Sequence, residues 1–336
     1  MASTVKSPAK GATVTSHEGP GWRRFLGMTD EGRFSKVLTA PAQYTLFFIV
    51  VFPLLTIVYI SMTAWTPTSG VNWWDAYHLW DWGHNFVEVL RSVDFWGAVG
   101  RTVLIIGIAV PLEFLIGLGL AFLFLEEFPG KRIFHTITLT PMMMVPAVAG
   151  YMFFMIFQST GPLNGLLSTV LGTEVGIRWL SEPKLAVLAV IVAEVWQWTP
   201  LMFLILLSGL VGIPEDQLRA AVMLGANYWQ RFRYLMLPML KPVIIIALVI
   251  RFMEAFKIFD SIFLMTAGGP ARATQSISIY MYKEAFQNIR WSYTAAAAMI
   301  ILVLVTIIAS YALKPLQAPT EKEQVDHSST TASVEM

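Results

Sequence analysis

Six long apolar stretches, separated by polar and charged segments, dominate the chain; they fall near 43–62, 102–124, 133–157, 185–211, 243–265 and 292–313. A bilayer core of roughly 30 Å needs about 20 apolar residues of helix, so each stretch is long enough to cross it. The pattern predicts an all-α integral membrane protein with six transmembrane helices. Pro111, Pro141, Pro146 and Pro200 lie inside these stretches. Proline kinks a helix, yet it is tolerated where neighbouring helices satisfy the freed carbonyls. Such kinks suit a conduit that changes shape. The membrane region then covers 41–315, between an N-terminal tail (1–40) and a C-terminal tail (316–336). Both tails are rich in Ser, Thr, Gly and charge and are expected to be poorly ordered or surface-lying. The first apolar run starts too late, behind too long a polar tail, for a cleavable signal peptide, so it is expected to remain as an anchor.

Composition supports this class. Of 336 residues, 56% are hydrophobic and only 13% charged, with a mean hydropathy of +0.61. An ordinary soluble domain has fewer apolar and more charged residues. The absence of cysteine excludes thiol catalysis and disulfide stapling, and His17, His78, His84, His135 and His327 show no metal-ligand spacing. A net charge of +1 points to no nucleic-acid partner. No nucleophile, base and metal set converges, which disfavours a membrane-embedded enzyme.

Orientation follows from Lys and Arg, which concentrate in cytoplasmic segments. With both termini inside, the inner segments hold fourteen of the chain's 23 Lys and Arg, and the outer segments seven. This bias predicts both termini in the cytoplasm and an inward-facing fourth loop. The first outer loop, 63–101, carries six of the 12 tryptophans: Trp65, Trp73, Trp74, Trp80, Trp82 and Trp96. Such rings form an interfacial belt or, alternatively, a docking face for an external protein. The second outer loop, 158–184, begins with GPLNGLL and predicts a short amphipathic surface helix.

The fourth loop, 212–240, is the most informative part of the chain. Pro214, Glu215 and Asp216 read as a helix start, because the acids complement the positive end of the helix dipole. Leu218, Ala221 and Val222 give a modest apolar face. Gly225 can end that helix in the left-handed conformation, and Asn227 can cap a second helix running to Pro238. The prediction is two short helices with a sharp turn, stiff enough to act as a lever. The chain contains no GxxxxGK[ST] phosphate loop, so nucleotide chemistry, if used, belongs to a partner.

Arg219-Ala220-Ala221, then Gly225-Ala226, then Leu237-Pro238 resemble, in register, the EAA loop by which ABC importer permeases dock onto their ATPase. Flanking landmarks resemble the carbohydrate branch of that family, which contains the maltose-type permeases. These are Asn85-Phe86, Arg101-Thr102, Gly161-Pro162-Leu163-Asn164, Phe256 to Asp260, Thr266 to Pro270 and Tyr280-Met281-Tyr282. The similarity covers roughly 40–315. It implies a type I importer permease fold with a cytoplasmic coupling helix between spans 4 and 5. It also implies ATPase-coupling roles for Glu215, Arg219, Ala220, Ala221, Gly225, Ala226 and Pro238. Two positions depart from the pattern: the family's leading Glu is Arg219 here, and the acid that precedes the loop Gly is Leu224.

Ionisable residues inside a span are costly and face a cavity or one another. Arg251, Glu254, Lys257 and Asp260 alternate in sign at i+3 spacing, while Glu194 lies near Gln197 and Trp198, and Glu113 stands alone in the second span. One reading is a self-neutralising ladder on one helix face. The other is a translocation path. The resemblance implies the second, with Gln197, Trp198, Arg251, Glu254, Phe256, Lys257 and Asp260 along a path for a sugar, glycoside or polyol-like solute. Lys257 replaces an expected amide, which would favour an anionic or strongly polar solute.

The expected partners are a second homologous permease, an ATPase dimer holding ATP and Mg, an extracytoplasmic solute-binding protein and the lipid bilayer of a bacterial inner membrane. No cofactor is expected on this chain itself. The competing reading is an ATP-independent carrier or channel in which the loop is only an anchor.

Overall fold

The computed structural model describes residues 31–316, and their side chains from Thr39; the end of the predicted N-terminal tail, 31–40, is helical, and the rest of the tails, 1–30 and 317–336, lies outside the described residues. Among the described residues the chain is helical, with one isolated β-bridge between Thr63 and Trp80. Up to Thr56 it forms a unit of its own. There the first span, α1 (Thr39–Ser61), exposes Tyr44, Leu46, Phe47, Phe48, Ile49 and Val50, as a lipid-facing helix should.

The second unit begins at Ile57. A short helical turn, Trp73–Leu79, leads to α2 (His84–Arg91) and to the second span, α3 (Val93–Leu123). The third stretch is α4 (Lys131–Met143) followed by α5 (Pro146–Ile156). Next come the surface helix α6 (Pro162–Leu171), the fourth span α7 (Pro183–Val211) and the coupling-loop helix α8 (Glu215–Met223). The fifth span, α9 (Tyr228–Phe256), precedes the short helices α10 (Asp260–Thr266) and α11 (Ile277–Tyr282). The sixth span, α12 (Trp291–Leu313), ends the described chain apart from one 3-10 turn.

Two predicted spans need correction. The third is not a straight helix: α4 and α5 meet at 97°, so it is one broken span beside five continuous ones. The cause is Pro146, whose ring pushes Val145 out of helical conformation, to ψ 131. The fifth begins earlier than 243 and stops at Phe256, not 265. The apolar run continues beyond that point, but the backbone turns at Lys257–Phe259 and restarts as α10. Side chains distant in sequence stabilise both breaks. Gln197 Nε2 donates to Met144 O at 3.1 Å, and Ser276 Oγ donates to Ile258 O at 3.0 Å.

Small residues let the spans approach closely, which is what drives helix packing where lipid is as apolar as leucine. A Cβ on Gly117 of α3 would lie 3.0 Å from Phe203 N of α7, and one on Gly150 of α5 would lie 2.8 Å from Ser261 Cα of α10. Phe95, Val110, Met202, Phe203, Leu206, Leu240 and Ala297 fill the core between α3, α7, α9 and α12.

The first outer loop is a folded cap on this bundle. Asn85 Nδ2 donates to Ser61 O (3.1 Å) and Thr63 O (2.8 Å), and Ser292 Oγ donates to Trp65 O at 2.6 Å. Trp65 is therefore buried structure, whereas Trp82 is 89% exposed. The predicted helix in the second outer loop is α6. Asn164 anchors it by donating to Ser159 O and Ile177 O and accepting from Trp179 Nε1.

Candidate functional site

The coupling loop is built as two tightly joined helices. Pro214 precedes α8, and Glu215 and Asp216 occupy its first turn. At the other end Gly225 has φ +80°, Ala226 N–H bonds Ala221 O at 3.0 Å, and Gly225 N–H bonds Val222 O at 2.9 Å. This paired closure satisfies the last carbonyls of α8 and requires the left-handed residue that glycine supplies. Asn227 then caps α9: its Oδ1 accepts from Gln230 N at 2.8 Å, while its own N–H donates to Gln230 Oε1 at 2.8 Å. Only four residues, 224–227, separate the helices.

The sequence reading errs on the second helix. It does not end at Pro238 but runs on as α9 through to Phe256. A wider π-turn over Phe232–Met236, in which Leu237 N–H bonds Phe232 O, gives the Pro238 ring room that a regular turn denies. The loop and the fifth span are thus one continuous rod, so force applied at the turn reaches the interior along the helix axis.

Between α8 and the start of α9 lies an open cleft of about 710 Å³, lined by Ala220, Ala221, Leu224, Gly225, Ala226 and Arg231 among others. Its small residues leave space, and Met223 and Leu224 at the tip are 89% and 88% exposed. Arg219 donates to Glu215 at 2.5 Å, an exposed i,i+4 pair. Arg231 stands over the Tyr228 ring (5.6 Å), with its Nε buried and without a hydrogen-bond partner among the described residues.

The second candidate region lies inside the bundle. Arg251 of α9 is 1% exposed and grips Glu113 of α3 with two bonds, Nε to Oε2 at 2.6 Å and an η nitrogen to Oε1 at 2.9 Å. The same η nitrogen donates to Glu194 Oε1 of α7 at 2.7 Å, and the guanidinium lies 4.9 Å from the centre of the Trp198 ring. One planar cation therefore ties three spans together.

The four-charge series does not act as one ladder. Arg251 turns to α3 and α7, only Glu254 and Lys257 keep an i,i+3 pair (2.9 Å), and Asp260 sits beyond the backbone break. Glu254, Lys257, Asp260, Gln197 and Trp198 do come together, with Glu194, Pro146 and Phe259, around a cavity of about 310 Å³. Arg251 and Phe256 do not border it. Arg251 is held behind the wall by its carboxylates, and Phe256 is buried in the core next to Phe252. Sequence reasoning missed Glu113 as Arg251's partner and Gln230 as the second half of the Asn227 cap. The available signal was a lone acid, Glu113, and an arginine that opens a charge series, Arg251, each inside an apolar run.

A helical membrane protein with a broken span, a charge-lined cavity and an exposed pair of short helices continuous with one span has the parts of a transport component. Residues 113–320 match the family model described as "Binding-protein-dependent transport system inner membrane component". The chain belongs to that family, and is a multi-pass permease subunit of an ABC importer. It is 37% identical over 273 residues to a probable ABC transporter permease of Sinorhizobium fredii, covering 81% of this chain and 86% of the relative. It is 32% identical over 284 residues to the trehalose/maltose transport system permease protein MalF of Thermococcus litoralis, covering 81% and 94%. The fold matches a chain of a bacterial ABC transporter involved in the import of the acidic polysaccharide alginate, with a TM-score of 0.71 at 19% identity over 89% of this chain and all of that one.

Proposed function

We propose that this chain forms half of the translocation path of an ATP-driven importer for a sugar, glycoside or polyol-like solute. A second homologous permease would form the other half. A dimer of ATPase subunits would hold ATP and Mg at the cytoplasmic side, and a solute-binding protein would deliver cargo to the outer loops. Both termini are assigned to the cytoplasm on the Lys and Arg bias, with 1–40 and 316–336 as tails. The relatives named for trehalose and maltose transport support the substrate class.

The observation that carries this reading is the continuity of the coupling loop with the fifth span. Glu215, Arg219, Ala220, Ala221, Gly225, Ala226 and Pro238 would seat the lever on the ATPase. Closure of the ATPase dimer would tilt α9 as a rod, and Arg251 would pass that motion to α3 and α7. Arg219, in place of the usual acid, calls for a carboxylate on the ATPase surface.

Because the chain has no cysteine, Met223→Cys creates a single chemical handle at the exposed tip of the lever. In membranes carrying the assembled transporter, a short bis-maleimide should join this position to a cysteine in the docking cleft of the ATPase, with a yield that changes when ATP is added. Absence of any crosslink across a set of ATPase cysteines would remove the docking assignment.

A further inference from the structure

Resting on the transport reading, and deepening it, we propose that the interior cavity admits neutral and amine-bearing saccharides and rejects anionic ones. The cavity lining and the wall behind it contain four carboxylates (Glu113, Glu194, Glu254 and Asp260) against two cations (Arg251 and Lys257), a formal charge of −2. Arg251 is committed to Glu113 and Glu194. Lys257 is paired with Glu254 in a weak, half-exposed contact (68% and 48% exposed), so it offsets one carboxylate and leaves the surroundings net acidic. Asp260, by contrast, makes no ion pair among the described residues and borders the same space.

A second observation points to a ligand rich in donors. Gln197 is 2% exposed and borders the cavity, and one of its amide N–H groups bonds Met144 O. Its carbonyl oxygen accepts no bond among the described residues. The same holds for the second oxygen of Glu194, since only Oε1 meets Arg251. The surroundings thus present unfilled acceptors, which a sugar hydroxyl satisfies and an ammonium, with three donors and no acceptor, satisfies best. A carboxylate or sulfonate brings only further acceptors and a like charge next to these carboxylates, closer than the distance over which salt screens. Trp198 and Phe259 supply aromatic surface to the same cavity.

The test uses the whole transporter in liposomes, with ATPase, partner permease and binding protein, and a panel of mono- and disaccharides each offered as its neutral, amino and carboxylate form. For the saccharide best transported in neutral form, amino uptake should lie within tenfold of neutral or above it, and carboxylate uptake at least tenfold below. Asp260→Asn should lower the amino-to-neutral ratio at least threefold, and Lys257→Gln should raise it. The binding protein is unchanged between variants, so a shift in that ratio belongs to the permease. Carboxylate uptake within tenfold of neutral in the wild type, or a ratio that moves less than threefold in Asp260→Asn, overturns the charge assignment while leaving the transport reading intact. No ATP-dependent uptake of any saccharide overturns both.

Discussion

Replacing Arg251 with Met should leave a permease that inserts but does not survive extraction as a monodisperse protein. Among the described residues the guanidinium is the only cation in contact with Glu113 and Glu194, both nearly fully buried in the bundle. Its loss would strand two carboxylates in an interior where each is costly. Breaking a buried ion pair by removing one partner typically costs about 3–5 kcal/mol, because the remaining charge is uncompensated. That exceeds half the stability of many domains. Glu113→Gln should be milder, since Arg251 keeps Glu194. The triple variant Arg251→Met, Glu113→Gln, Glu194→Gln removes every charge at once and should recover most of the monodisperse yield, as neutral replacements of buried ion groups often do. Size-exclusion profiles and thermal unfolding in detergent distinguish these cases. A single Arg251→Met variant as stable as wild type would mean that the triad does not hold the three spans together.

The second large effect concerns Gly225. At φ +80° it closes the turn between α8 and α9, and a Cβ there meets nothing within 4 Å. The penalty of a side chain is thus purely conformational. A left-handed residue costs about 1–2 kcal/mol for an ordinary side chain and more for a β-branched one. Gly225→Val should open the turn, misplace α8 against α9 and reduce co-purification of the ATPase at least tenfold, with normal amounts of permease in the membrane. Gly225→Asn should be nearly silent, because Asn tolerates this conformation. Equal loss with Val and Asn would point to a surface contact at this residue and not to turn geometry.

These two sites differ in how far the sequence revealed them. The lever was legible because its signals are local: Pro214 before the acids, Gly225 at the turn, Asn227 at the next start. Each acts within a few residues, and each occupies its expected place. The end of the second helix was not legible, because Pro238 reads as a stop unless the π-turn before it is known. The breaks in the third and fifth spans were hidden for a related reason. Apolar runs continue across both, and the groups that make the breaks tolerable, Gln197 and Ser276, lie 53 and 18 residues from the carbonyls they bond. The Arg251 cluster joins residues 138 and 57 positions apart. Spacing along one helix suggested Glu254 as a partner, but the bidentate geometry offered by Glu113 across the bundle wins. Once Arg251 leaves the series, Lys257 and Glu254 remain as a pair and Asp260 stands beyond the break. That separation gives the cavity its acidic balance.

This chain is expected to move solute only when an ATPase drives its lever. Uptake into proteoliposomes tests it most directly, comparing the full assembly with the purified chain alone, with ATP or an ion gradient as the energy source. Saccharide uptake should require the ATPase, the binding protein and hydrolysable ATP together. Uptake by the chain alone, driven by a proton or sodium gradient and indifferent to ATP, would contradict it.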